Sequence, residues 1–218
     1  LIIALEGLDA CGKATQAAAI SQALQPSTVI SFPRYAGPFG PPILAHLKEQ
    51  VVFCQKEPES GTLSPSPDDA VVFQALMTMD KYDAASEIKA LDRKGQYVVL
   101  DRYWPSACCY GADDGLDFSS MLRINSCLPP ADLYVLLDMS VEEAANRRPK
   151  ARDRYERDKE KLGRIRDRYL YMWKLMEEPT LKSKWVVVNG HNGVQDITSK
   201  ILEELRIITT TRSHLFSP

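Results

Sequence analysis

Apolar positions along the chain gather into short runs separated by longer mixed stretches. Leu1 to Glu6 is the first run, rich in β-branched residues and ending at Gly7. Similar runs recur at Thr28 to Phe32, Tyr97 to Asp101, Leu133 to Asp138 and Trp185 to Asn189. Unbroken apolar runs of this length, bounded by turn residues, predict strands covered on both faces. Each gap leaves room for at least one helix; Lys13 to Leu24 holds good helix formers, and the longest candidates are Asp68 to Lys94, Arg154 to Glu178 and Gly193 to Ile208. Strand and helix in alternation predict an α/β fold, a five-stranded parallel sheet with helices on both faces. Gln55 to Pro67 carries three prolines, one glycine and three serines, so it reads as an irregular surface excursion. Residues 1–208 read as one domain, and the polar end from Thr209 to Pro218 as a flexible tail.

Composition narrows the function classes. A chain of 218 residues that is 44% hydrophobic can bury a core without disulfides or a structural metal. Its formal net charge of −2 argues against a nucleic-acid clamp. No apolar run approaches the ~18–20 residues that cross a membrane. The five cysteines, Cys11, Cys54, Cys108, Cys109 and Cys127, show no metal-ligand spacing and read as reduced thiols of a cytoplasmic protein.

The chemistry starts at the first strand's end. Gly7-Leu8-Asp9-Ala10-Cys11-Gly12-Lys13-Ala14 departs from the phosphate-loop pattern G-x-x-x-x-G-K-[ST] only in its last residue. Glycines let the backbone curl so that successive N–H groups face phosphate oxygens, Lys13 adds a cation, and the next helix presents its positive end. Gly7 to Thr15 are therefore expected to hold the phosphates of ATP. Ala14 stands where a hydroxyl would meet Mg2+, and Thr15 points about 100° away from it. This lowers the odds of a GTPase more than those of a kinase. Asp101 emerges at the carboxyl end of its strand, where it can hold hydrated Mg2+, and Arg102 beside it can fork onto a phosphate. An ordinary salt bridge is the plainer alternative for that pair. The five cations between Arg147 and Arg154 read alone as a solvated basic face.

Taken together these segments resemble the thymidylate kinase family. Gly12-Lys13-Ala14-Thr15-Gln16 resembles its G-K-x-T-Q, Phe32-Pro33-Arg34 its F-P-x-R, Asp101-Arg102-Tyr103 its D-R-Y with Ser106 and Tyr110 following, and Arg154-Tyr155-Glu156 the R-Y-E closing its lid. The resemblance implies strand order 2-3-1-4-5, a lid at about 147–155, a homodimer, and phosphoryl transfer from ATP to dTMP. Lys13 and Arg102 would act on the phosphates, and Arg148 or Arg152 in the lid would supply the transition-state cation that Ala10 cannot. Arg147 and Asn189 would border the adenine. Asp9 would face the sugar of the acceptor, with Phe32, Arg34, Ser106, Tyr110 and Tyr155 around it. Phe32 and Tyr110 could equally be core aromatics, and Tyr35 stands where the eukaryotic members carry the arginine that Arg34 approximates. The base-stacking phenylalanine falls on Met77 and the base-reading arginine on Lys81. Those two departures leave open a kinase for another or modified base. A non-catalytic nucleotide-binding regulator remains the reading from a different class.

Overall fold

The computed structural model describes residues 1–56, 64–147, 155, 158–176 and 183–215. The main sheet comprises β1 (Ile2–Glu6), β2 (Ser27–Ser31), β5 (Tyr97–Asp101), β6 (Leu133–Asp138) and β7 (Lys184–Asn189). The order is β2-β5-β1-β6-β7 with every pairing parallel, which is the expected 2-3-1-4-5 when only these strands are counted. The short β3 (Gln55–Lys56) and β4 (Ser64–Pro65) pair antiparallel at the base of the predicted excursion.

Burial on both faces follows from the strand sequences. Ile2, Ala4, Val98, Leu100, Tyr134 and Leu136 point to one side, under helices α2 (Gly40–Leu47), α3 (Pro67–Arg93), α4 (Trp104–Asp113), α5 (Phe118–Asn125) and α7 (Lys159–Met176). Ile3, Leu5, Val99, Leu133, Val135 and Leu137 point to the other, under α1 (Lys13–Ala23), α6 (Val141–Arg147) and α8 (Val194–Leu215). The helices meet them with apolar residues one turn apart, as Leu162, Ile165, Tyr169, Met172 and Trp173 do on α7, and Ile197, Ile201 and Leu205 on α8.

Several boundaries differ from expectation, and the helix expected over Arg154 to Glu178 runs from Lys159 to Met176 as α7. Helix α3 starts at Pro67, where Ser66 Oγ accepts the Asp68 N–H as a cap. Helix α8 continues past Ile208 to Leu215, so the polar end is helical to that point. Thr209 and Thr211 donate their hydroxyls to the carbonyls of Leu205 and Ile207 one turn back, which lets polar residues stay within the helix.

Parallel strands deliver all their carboxyl ends to one edge. Glu6, Ser31, Asp101, Asp138 and Asn189 stand there together, in register through the pairs Ser31↔Asp101, Leu5↔Asp101, Glu6↔Leu136 and Asp138↔Asn189.

Candidate active site

The phosphate loop is built from tight backbone geometry. Gly7 lies at φ 135, and a Cβ there would come within 2.6 Å of the Leu137 carbonyl oxygen and 2.9 Å of Cys11 Sγ. Only glycine lets the loop pass this close to β6. Gly12, at φ 101, opens α1, and Ala10 adopts φ 62. Lys13 is buried and donates its ammonium to the carbonyls of Gly7 at 3.1 Å and Leu8 at 2.6 Å. Cys11 turns into the core on the α1 side of the sheet.

Arg102 is the centre of the polar network. Its backbone lies in the left-handed region at φ 66, a strained conformation for a residue with a side chain. Its Nη2 meets Asp9 Oδ1 at 2.8 Å, and its Nη1 donates to the Gly7 carbonyl and to Ser106 Oγ, both at 3.2 Å. Tyr110 OH donates to Asp9 Oδ2 at 3.2 Å. Burial alone would raise the Asp9 carboxyl, but the charges of Arg102 and Lys13 hold it well below the usual carboxylate range.

Beneath this network lies Glu6, fully buried, a residue that sequence reasoning passed over as the end of an apolar run. Glu6 Oε1 accepts the Tyr103 N–H at 2.7 Å, and Oε2 accepts the hydroxyls of Ser106 at 2.6 Å and Tyr169 at 3.1 Å. Burial raises its carboxyl above the ordinary value despite those donors and the Arg102 charge. A carboxylate at the end of an otherwise apolar strand was the available signal, because such a group is buried only with partners.

A cavity of about 440 Å³ opens along the carboxyl edge. Its phosphate end is lined by Asp9, Ala10, Gly12, Lys13, Ala14 and Thr15. Phe32, Ser106, Tyr110 and Tyr155 wall the middle, and Phe73, Gln74 and Met77 of α3 form the far side. Tyr155 packs edge-on to Tyr110 with ring centroids 5.2 Å apart, and its hydroxyl donates to Asp114 at 2.5 Å. Asp101 and Arg147 also line the cavity, and Arg147 Nη2 donates to the Gly190 carbonyl at 3.2 Å, which joins α6 to the loop after β7. Asn189 is exposed beside that loop, its Oδ1 accepting the His191 N–H.

Two of the expected substrate residues are not part of the cavity lining. Lys81 is buried away from the cavity, donates its amine to the Met77 carbonyl at 2.7 Å and sits 5.7 Å from the centre of the Phe32 ring. Burial pushes its pKa down to about 8, against the charges of Asp80 and Glu6. Arg34 is also outside the cavity lining. Its Nε meets the buried Asp80 at 2.9 Å and its Nη2 meets Asp83 at 2.5 Å, so the side chain is tied to α3. Gly7 and Cys11 shape the loop from behind without lining the cavity. Arg148, Lys150, Arg152 and Arg154 lie outside the described residues.

The donor set at the phosphate end suits a hydrated rather than a stripped cation. Asp101 supplies a carboxylate and Thr15 a hydroxyl to the lining, while Ala14 supplies no oxygen. Mg2+ keeps several waters under such conditions.

Comparison with known proteins agrees with this geometry. A family model described as thymidylate kinase matches residues 5–201. A thymidylate kinase of Dictyostelium discoideum is 27% identical over 206 residues, covering 92% of this chain and 82% of that protein. A probable thymidylate kinase of Pyrobaculum calidifontis is 35% identical over 172 residues, covering 78% of this chain and 81% of that one. The solved structure of thymidylate kinase from Candida albicans superposes with a TM-score of 0.73 at 26% identity, over 98% of this chain and 92% of that one. With residues 5–201 matched by that family model, the chain belongs to the thymidylate kinase family.

Proposed function

We propose that this chain transfers the γ-phosphoryl group of ATP to dTMP, giving ADP and dTDP, a step of deoxynucleotide biosynthesis. The observation that carries the reading is the Asp9–Arg102 pair, which stands in the cavity between the phosphate loop and the aromatic wall. A guanidinium there can hold the acceptor phosphate while Lys13 and the loop N–H groups hold the donor.

An oxygen of the dTMP phosphate forms the new bond to the γ-phosphorus, and the bond from that phosphorus to the bridging oxygen of ADP breaks. No general base is needed, because the attacking phosphate is already anionic. The chain's task is to align the two phosphates and offset their charge. Asp101 would hold Mg2+, which supplies further charge neutralisation when bound. Asp9 faces the acceptor's sugar, and Phe32, Tyr110, Tyr155 and Met77 enclose sugar and base. Arg147 and the loop at Asn189 border the adenine of ATP. Arg148 or Arg152, from a lid at about 147–155, completes the transition-state charge.

The remaining reading is of a cytoplasmic homodimer acting on small molecules, with neither nucleic acid nor membrane as partner. It rests on the net charge of −2, on cysteines without ligand spacing and, for the dimer, on the family resemblance. No described helix is long and apolar enough to cross a membrane. A kinase for another base, or a regulator without turnover, is not favoured by the family match. Steady-state ADP production from Mg-ATP across the common nucleoside monophosphates tests the function. Turnover led by dTMP and dUMP is the expected result, and ATP binding without turnover on any acceptor would overturn it.

A further inference from the structure

Gln74 on α3 lines the far side of the cavity yet is only 2% exposed. Its Nε2 donates to Asp114 Oδ2 at 3.3 Å. Asp114 also takes the Lys161 ammonium at 2.6 Å and the Tyr155 hydroxyl at 2.5 Å. A carboxylate so engaged can only accept, so the nitrogen of the Gln74 carboxamide is the half that faces it. The amide is thereby held in one orientation. Its other half, Oε1, is buried without a hydrogen-bond partner among the described residues.

A buried acceptor left unpaired is costly, and one that belongs to a cavity wall is explained by a donor that arrives with a ligand. The other polar groups expected near the base are committed elsewhere. Lys81 donates to the Met77 carbonyl, Arg34 is tied to Asp80 and Asp83, and the Ser106 hydroxyl donates to Glu6. We propose that Gln74 is the specificity-determining residue for the base, its Oε1 accepting the ring N3–H of thymine or uracil. The inference rests on the dTMP reading of the site and deepens it. Cytosine carries a lone pair at N3 in place of the N–H, so it would set two acceptors against each other. The base is thus read from α3 by an acceptor, and Asp114 is the positioning residue that fixes which half of the carboxamide is left to accept.

The test compares dTMP with its 3-deaza analogue, in which the N3–H becomes C–H, by calorimetric binding and by steady-state kinetics. In the wild-type protein the analogue should bind on the order of 10–100-fold more weakly, with the difference in KM rather than kcat. In Gln74→Leu the two ligands should bind within about threefold of each other, through weakened dTMP binding. Equal wild-type affinity for both ligands, or undiminished discrimination in the variant, would overturn the proposal. The wild-type comparison needs no variant, so a Gln74→Leu chain that fails to fold leaves it decisive. Binding needs no turnover, so dTMP that binds with discrimination but is not phosphorylated counts against the kinase reading alone. Failure to bind either ligand would overturn both.

Discussion

Asp9 Oδ1 and Arg102 Nη2 meet at 2.8 Å, one from the loop after β1 and one just past the end of β5. Arg102 also reaches the Gly7 carbonyl and Ser106, so its planar fork serves several acceptors at once. Arg102→Lys keeps the charge but loses the fork. It should lower kcat/KM for dTMP by about 10²–10³-fold while leaving ATP affinity within a few-fold. Kinetics with each substrate varied in turn checks this, and an unchanged kcat/KM would remove Arg102 from the transfer step.

Glu6 should give the protein an unusual pH signature. Its carboxyl is raised by burial, so above the ordinary value of 4.5 the folded chain binds more protons than the unfolded one. Stability from this group therefore falls as pH rises from about 4.5 toward the folded value. Glu6→Gln removes that slope. It also turns an amide N–H₂ toward the hydroxyls of Ser106 or Tyr169, which should cost about 1–3 kcal/mol at neutral pH. Urea unfolding of both chains between pH 4.5 and 7 measures slope and offset together.

Lys81 offers the opposite sign. Its folded pKa of about 8 lies below the ordinary 10.5, so between these values the unfolded chain binds the extra proton and stability rises with pH. Against Lys81→Met, the wild type should gain stability from pH 8 to 10.5, read as the difference in Tm. Because the amine is bonded to Met77 outside the cavity, the same variant should keep the KM for dTMP within about threefold. A tenfold rise would return Lys81 to base recognition.

Gly7→Ala tests the loop itself. The added methyl would fall 2.6 Å from a backbone oxygen at a φ that L-residues rarely adopt. The loop must shift, at a cost of at least about 1–3 kcal/mol. ATP binding measured by calorimetry should be lost or weakened by more than tenfold, with the sheet intact by far-UV circular dichroism.

The phosphate loop was legible because everything it needs is local: two glycines, a lysine and a strand before them. Strands β1, β5 and β6 were legible because apolar runs covered on both faces leave a continuous mark. Their order was not, since nothing in one strand's sequence names its neighbour, and it came only through resemblance. Met77 and Lys81 were placed on the correct helix. Helix phase alone, however, does not say that Lys81 would turn back onto the carbonyl one turn earlier. The ion pairs of Arg34 are hidden for a similar reason, because its partners Asp80 and Asp83 are brought to it only by the packing of α3. Glu6 and Gln74 were invisible because each takes its meaning from donors on other elements.

The meeting of strand ends at one edge has a thermodynamic consequence. Asp138 is matched bidentately by Arg166 at 2.6 and 2.8 Å, Asp9 by Arg102, and Lys13 is occupied with loop carbonyls. Among the described residues these cations already have resident partners, two of the three being carboxylates, so an arriving nucleotide exchanges partners there more than it fills a bare positive field. Around these described groups, few of the mobile salt ions that a naked basic cleft would shed on binding are condensed to begin with. Nucleotide affinity should therefore decline with ionic strength much less steeply than the number of phosphate charges alone would suggest.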